Sequence, residues 1–226
     1  MHKHFLSIVF LLSLCLGCGT GEYESRIGQH HGGGAAAGGA DLLGPAEDVA
    51  GTRVSIRAPL GMTLLPQGAD PKRTKVPAVA FPGVQLRNYE GFVKDSGGGD
   101  IPFYCHILVA KTPAGTSFDK VKTEMAKGFG HGAQLTDFPV ASPEGKETKW
   151  QMVHAASKDE FFYKSKDGKE APQSMDDVEE GYVCEMGGYA ILVGWRVPSS
   201  IVQNVGNVGL AELAKATVGA VSVKPQ

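Results

Sequence analysis

Residues 181–197, GYVCEM-GG-YAILVGWRV, hold the clearest structural signal in the chain. Two runs of β-branched, aromatic and aliphatic residues flank Gly187-Gly188, and paired glycines supply the positive φ angles that a two-residue hairpin turn demands. In that register Met186 faces Tyr189, Cys184 faces Ile191 and Tyr182 faces Val193. Cys184 then shares a side with Ile191, Val193 and Trp195, which is a core face by composition.

Working outward, Pro198 closes the hairpin, and Leu210, Leu213, Ala214, Thr217 and Val221 follow helical spacing, predicting a helix over about Val208 to Ala220. Upstream, Asp167-Gly168 marks a turn, with strands expected over Gln134–Val140, Thr148–Ser157 and Glu160–Ser165. The acidic run Asp176-Asp177-Val178-Glu179-Glu180 reads as a solvated loop before the hairpin, since it lacks the oxygen spacing of a calcium loop. Thr116 is placed as an N-cap with Asp119 three residues on, and Phe118, Val121, Met125 and Phe129 recur at helical spacing until Gly128 and Gly130 stop the helix. Pro102–Ala110 is apolar on both sides, Phe103, Cys105, Ile107 and Val109 on one and Tyr104, His106 and Leu108 on the other, as a central strand requires.

Val54, Ile56 and Ala58 alternate with Arg53, Ser55 and Arg57 as a half-buried strand, and Met62–Leu65 can run back beside it. Gln67–Pro77 reads as a loop, Val79–Tyr89 as an edge or bulged strand on account of Pro82 and Gly83, and Gly97-Gly98-Gly99-Asp100 as a connection. Strands, helix, strands, helix in this order predict an α+β domain, an antiparallel β-sheet with two packed helices, spanning 52–226. The pattern resembles the PsbP-like family of small exported α/β sandwiches. Its features here are a strand running into a proline-glycine turn (Val54 to Gly61), a capped helix after a central strand, and a last strand ending in proline before a C-terminal helix (Ile191 to Val221). No functional residue of that family has a matching motif in this chain.

The N-terminus sets an address. Lys3 precedes an uncharged stretch, Phe5 to Gly17. As a helix that run would extend only about 20 Å, against a bilayer core of about 30 Å, so it is a signal-peptide core, not a membrane span. It ends in Leu14-Cys15-Leu16-Gly17-Cys18-Gly19, which resembles the lipobox of bacterial lipoproteins, although Cys15 stands where that family prefers leucine. The resemblance implies cleavage after Gly17, removing a signal peptide of residues 1–17, and a diacylglyceryl thioether on Cys18. Several acyl chains hold a protein at a membrane surface almost permanently. Residues 18–51, with Gly32-Gly33-Gly34-Ala35-Ala36-Ala37-Gly38-Gly39-Ala40, cannot bury enough apolar surface to offset ordering and are expected to form a flexible tether.

Composition narrows the classes further. A net charge of −2 gives no basic surface for nucleic acid. With Cys15 removed and Cys18 lipidated, Cys105 and Cys184 remain, an even pair that invites a disulfide in an oxidising compartment. Each is equally suited to be a small buried apolar residue, and a bridge needs Cα atoms within about 7 Å.

Candidate chemistry is sparse. His30-His31-Gly32-Gly33-Gly34 has the letters of a lipase oxyanion loop but lies in the tether, and the chain has no G-x-S-x-G elbow. His106, His131 and His154 show no metal-ligand spacing, and Cys105 and His106, as strand neighbours, point to opposite faces. Gly128-Phe129-Gly130-His131-Gly132 follows a helix, whereas a phosphate loop precedes one. No catalytic residue, cofactor or metal is implied. The sequence therefore favours an exported protein anchored to a membrane of the bacterial envelope, a non-enzymatic domain that binds or scaffolds an envelope protein partner. The alternative is a lipid-anchored enzyme or small-ligand binder whose site is assembled only in the fold.

Overall fold

The computed structural model describes residues 42–77, 83–129, 134–141 and 147–225. The lipobox at Gly17 and Cys18, the His30–Gly34 motif and His131 lie outside the described residues. No helix among those described is long and apolar enough to cross a membrane.

The hairpin adopts the expected register. Strands β8 (Glu170–Met186) and β9 (Tyr189–Pro198) pair with Met186 opposite Tyr189, Cys184 opposite Ile191 and Tyr182 opposite Val193. Gly187 and Gly188 both have positive φ, 59° and 82°, which glycine adopts without strain. Around it stand β3 (Thr63–Leu64), β4 (Gln85–Lys94), β5 (Asp100–Lys111), β6 (Thr136–Ala141) and β7 (Glu147–Lys164), in the antiparallel order β3-β4-β5-β9-β8-β7-β6. As its two apolar faces require, β5 is central, between β4 and β9. A second sheet, β1-β2-β10, joins β1 (Leu43–Asp48), β2 (Val54–Pro59) and β10 (Ser222–Val223).

Among the described residues three α-helices complete the α+β fold: α1 (Pro71–Thr74), α2 (Phe118–Ala126) and α3 (Leu210–Gly219). Ser117 caps α2 by accepting from the Lys120 amide, one residue later than Thr116. The buried stripe of α2 (Val121, Met125, Ala126) and Phe129 packs on Leu108, Ala110, Val153, Val183, Ala190 and Leu192. Cross-strand pairing puts Leu108, Leu192 and Val183 on one side of the sheet, here called face A, together with His106, Gly194, Gly181 and Val153. The opposite side, face B, carries Cys105, Trp195, Ile191, Cys184 and Tyr182. At its margins Tyr89 bonds Glu47 on β1, and Gly219 at the end of α3 sits against Val140 of β6.

Several expectations are corrected. The tether was expected to reach Gly51, but Leu43–Asp48 pairs antiparallel with β2 and buries Leu43. The segment LGPAED, with glycine and proline, has no alternation to reveal it; backbone pairing at an edge holds it in place. Residues 63–64 pair with β4 and not with β2, whose two sides are taken by β1 and β10. The two strands expected between Thr148 and Ser165 are one strand of 18 residues, and a short helix, α1, interrupts the loop expected over Gln67–Pro77.

The disulfide is also corrected. Cys105 pairs with Trp195 and Cys184 with Ile191, so the thiols lie on strands either side of β9, offset by four residues along it. Two strand spacings alone are about 10 Å, beyond the reach of a bridge. Both cysteines are free and buried, the apolar role open to them from the outset, and burial pushes both thiols well above their ordinary range.

Candidate functional site

β7 and β8 outrun the rest of the sheet. Pairing of β8 with β9 ends at Asp177 opposite Pro198, yet β7 and β8 stay paired out to Lys164 opposite Glu170. This outer hairpin curls back over face A. Phe161 is fully buried and stacks with Tyr104 of β5 at 6.2 Å between ring centroids. Tyr163 donates to Asp95 at 2.8 Å, and Lys164 pairs with Asp100 at the start of β5. The extra length of β7 and β8 thus forms a second roof over face A, beside the one made by α2.

Beneath this roof the sheet is polar. Register places Glu90, Tyr104, Arg196 and Glu179 in one row across β4, β5, β9 and β8, with Ser157 and Asp177 in the next. Arg196 Nη1 lies 2.8 Å from Glu179 Oε1 and 3.4 Å from Asp159 Oδ2, Nη2 donates to the Gly128 carbonyl at 3.3 Å, and the guanidinium lies 5.9 Å from the Phe129 ring centroid. Lys75, with a left-handed backbone (φ 55°) just after α1, reaches Asp159 Oδ1 at 2.9 Å. Tyr104 donates to Glu90 at 3.2 Å, and Arg73 pairs with Glu170 at 2.5 Å.

Burial sets the charge states. Asp177 is 0% exposed, and desolvation pushes its carboxyl up, opposed by the Ser157 hydrogen bond and reinforced by the neighbouring Glu179. Desolvation also raises Glu90 against the Tyr104 bond. Asp159 is one-third exposed; desolvation works against its charge, but the hydrogen bond from Lys75, the Glu160 amide and Arg196 together hold it below the ordinary carboxylate range.

Where these groups approach solvent, a cleft of about 400 Å³ opens between α1 and β7. Its lining is Pro71, Lys72, Lys75, Val76, Asp159, Glu160 and Arg196. The cleft gathers cations and carboxylates of which Lys75, Asp159 and Arg196 are already bonded to one another. Such a site can hold a small polar ligand by exchanging these internal pairs for ligand pairs.

Of the described histidines, neither His106 nor His154 lines this cleft. His106 is fully buried on face A between Tyr104 and Phe129, its Nδ1 3.0 Å from Asn88 Oδ1. Burial, with Arg196 nearby, lowers its pKa to about 3, so it is a neutral core residue. His154 is on face B, where Glu180 is its partner at 3.3 Å; that hydrogen bond raises it, against desolvation. Cys105 and His106 point to opposite faces, as strand neighbours do.

Residues 176–180 are the largest departure from the sequence reading. They are strand, not loop, and Asp177, Glu179 and Glu180 are all buried. One signal was available: from Gln173 to Glu180 no proline or glycine interrupts the chain, so only Gly181 separates this run from the strand that holds Tyr182. Lys75 and Arg196 gave no comparable signal, because their partner Asp159 is distant from both in sequence.

No protein-family model matches the sequence, and no curated protein matches it. Among solved structures, the chain is similar to cyanobacterial PsbP (CyanoP) from Synechocystis sp. PCC 6803, at 12% identity over 85% of this chain and 98% of that one, with a TM-score of 0.41. A crystal structure from Bacteroides thetaiotaomicron VPI-5482 matches at 12% identity over 62% of this chain, with a TM-score of 0.32, and the match spans under half of that protein, 46%. At these scores neither likeness carries an argument.

Proposed function

We propose that this chain is the precursor of an exported lipoprotein, cleaved after Gly17 and acylated on Cys18, whose α+β domain is a non-enzymatic module that binds or scaffolds an envelope protein. The finer reading of the fold, a PsbP-like sandwich with α2 and α3 on opposite faces, belongs to the same proposal. The observation that carries the binding role is the apolar margin at β3 and β4. Leu60, Leu64 and Phe92 are 56%, 42% and 46% exposed, the largest exposures among the big apolar side chains of the described residues. Leu64 pairs opposite Tyr89, and Phe92 lies two residues beyond Glu90, so apolar groups stand on both sides of one sheet edge. An edge with apolar flanks favours a protein partner that adds backbone or side-chain contacts there.

Crosslinking with pull-down in intact envelopes tests this. A specific adduct should form with the wild-type chain and be lost in a Leu64→Ser/Phe92→Ser variant that folds normally; no reproducible adduct, or one indifferent to these substitutions, defeats the reading. Cys18→Ala should release the domain to the soluble fraction, which tests the anchor separately. A second reading, a small-ligand binder, is favoured by the cleft of Lys72, Lys75, Asp159 and Arg196. In that case Lys75→Ala would abolish ligand-induced thermal stabilisation in a screen of small anions while leaving the crosslinked adduct intact.

A further inference from the structure

Ser157 stands between two buried carboxyl groups, its Oγ 2.6 Å from Asp177 Oδ1 and 3.1 Å from Glu179 Oε1. A hydroxyl has one proton to donate, and an ionised carboxylate can only accept. Both contacts are full two-centre hydrogen bonds, instead of one proton shared between two acceptors, only when one of the two carboxyls brings a proton of its own. Glu179 is committed to Arg196, whose Nη1 lies 2.8 Å from it. Asp177 is left to carry the proton. Its Oδ2 is buried without a partner, which a neutral carboxyl tolerates far better than an ionised one. The directed chain is then Asp177 O–H to Ser157, Ser157 O–H to Glu179, and Arg196 N–H to Glu179.

Charge balance leads to the same assignment. Among the described residues the polar and charged groups around Asp177 are Ser157 and Asp159 on β7, Glu179 on β8, Arg196 on β9, and Lys75 after α1 through Asp159, while the turn at Ser199–Ile201 brings no ionisable group. The end of α2 contributes the neutral Gly128 carbonyl. Glu90, Tyr104, Arg73 and Glu170 lie one step further out, with Tyr104 bonded to Glu90 and Arg73 to Glu170. With Asp177 neutral, the anions Glu179 and Asp159 are matched by the cations Arg196 and Lys75. An ionised Asp177 adds a third anion to two cations in a water-poor site, where like charges repel strongly.

We propose that Asp177, in its protonated form, keeps Asp159 latched onto Lys75 and Arg196, and that loss of this proton as pH rises releases Asp159 and widens the cleft beside Lys75. Asp159 is one-third exposed and so the member of the cluster with the easiest path to water. Its departure uncovers Lys75, 9% exposed in the latched state. The direction follows from linkage: burial raises the Asp177 carboxyl, so the latched state binds the proton more tightly and is favoured on the acid side.

Amine acylation of Lys75, measured on the full chain relative to the exposed Lys72, reads the latch directly. In the wild type the ratio should climb with pH above the ordinary carboxylate range, by at most about tenfold per pH unit, the ceiling for one linked proton. In Asp177→Asn, a neutral group that still donates to Ser157, the ratio should stay flat and low. Identical profiles in the two proteins would overturn the latch. Carbon-13 NMR of the aspartate carboxyls in the wild type keeps the proposal testable should the variant not fold. A titration of Asp177 displaced upward and coincident with Lys75 exposure supports it, and an Asp177 ionised at every pH where the protein is folded refutes it.

Discussion

Leu192 and Arg196 point to the same side of β9, four residues apart, yet one joins a dry apolar cluster under α2 and the other a buried charged network under the outer hairpin. The α2 half is held by side chains that fit any orientation their shapes allow, and its specificity comes from shape: Phe129 is accommodated because Gly194 and Gly181 leave a hollow in the sheet. The hairpin half is held by pairs whose partners must be met individually, Arg196 with Glu179, Lys75 with Asp159, Ser157 with Asp177. A roof of the first kind tolerates changes in charge state and resists changes in volume. A roof of the second kind does the reverse, which makes it the half whose pairing is sensitive to pH.

The sharpest way to break this contrast is to remove one large group from each half. Phe129→Ala should destabilise by about 3–5 kcal/mol through the cavity it leaves, and Glu179→Ala by a comparable amount through the unpaired Arg196. The halves separate in the rescue. An Arg196→Met/Glu179→Leu double variant should regain most of the loss in urea unfolding, because a well-packed apolar pair often matches a buried ion pair; failure to regain any would mean the charges contribute more than their packing.

Next in size, Gly194→Ala should cost about 1–3 kcal/mol as overpacking, since its Cβ would lie 2.0 Å from Phe129 Cζ. An unchanged Tm would show that the Phe129 ring is free to move aside. On the acid side, His106 links the halves to pH with a defined sign. Its folded pKa of about 3 lies below the ordinary 6.5, so the unfolded chain binds the proton first. Stability is then complete above 6.5 and falls as pH drops from there towards 3, by no more than about 1.4 kcal/mol per unit. His106→Asn should flatten this slope in urea titrations between those limits. The smallest expectation is no effect: with Cys105 and Cys184 free, a reducing agent should leave Tm unchanged, and a drop would reveal a bridge.

Legibility tracked how local each feature is. The register of β8 and β9 was readable because Gly187-Gly188 fixes it within a few residues, and α2 because Val121, Met125 and Phe129 recur on one stripe. The start of the domain was missed because Leu43–Asp48 is held by pairing with β2 and not by its own composition. The charged cluster was missed for a stronger reason. Asp177 and Glu179 carry side chains that ordinarily mark solvent, and only partners brought from β7, β9 and the end of α1 make their burial affordable.

By itself, then, the chain's order of residues determined the α+β class, the central strand, the hairpin and the apolar stripe of α2, all of which rest on periodicity and turn chemistry over short spans. Only the tertiary structure decided that β7 and β8 run past β9 and fold back, that Cys105 and Cys184 stand two strands apart, and that an acidic run lies in the interior. Those outcomes depend on which distant groups become neighbours, and the free energy of a buried charge is set by its neighbours, not by its own identity.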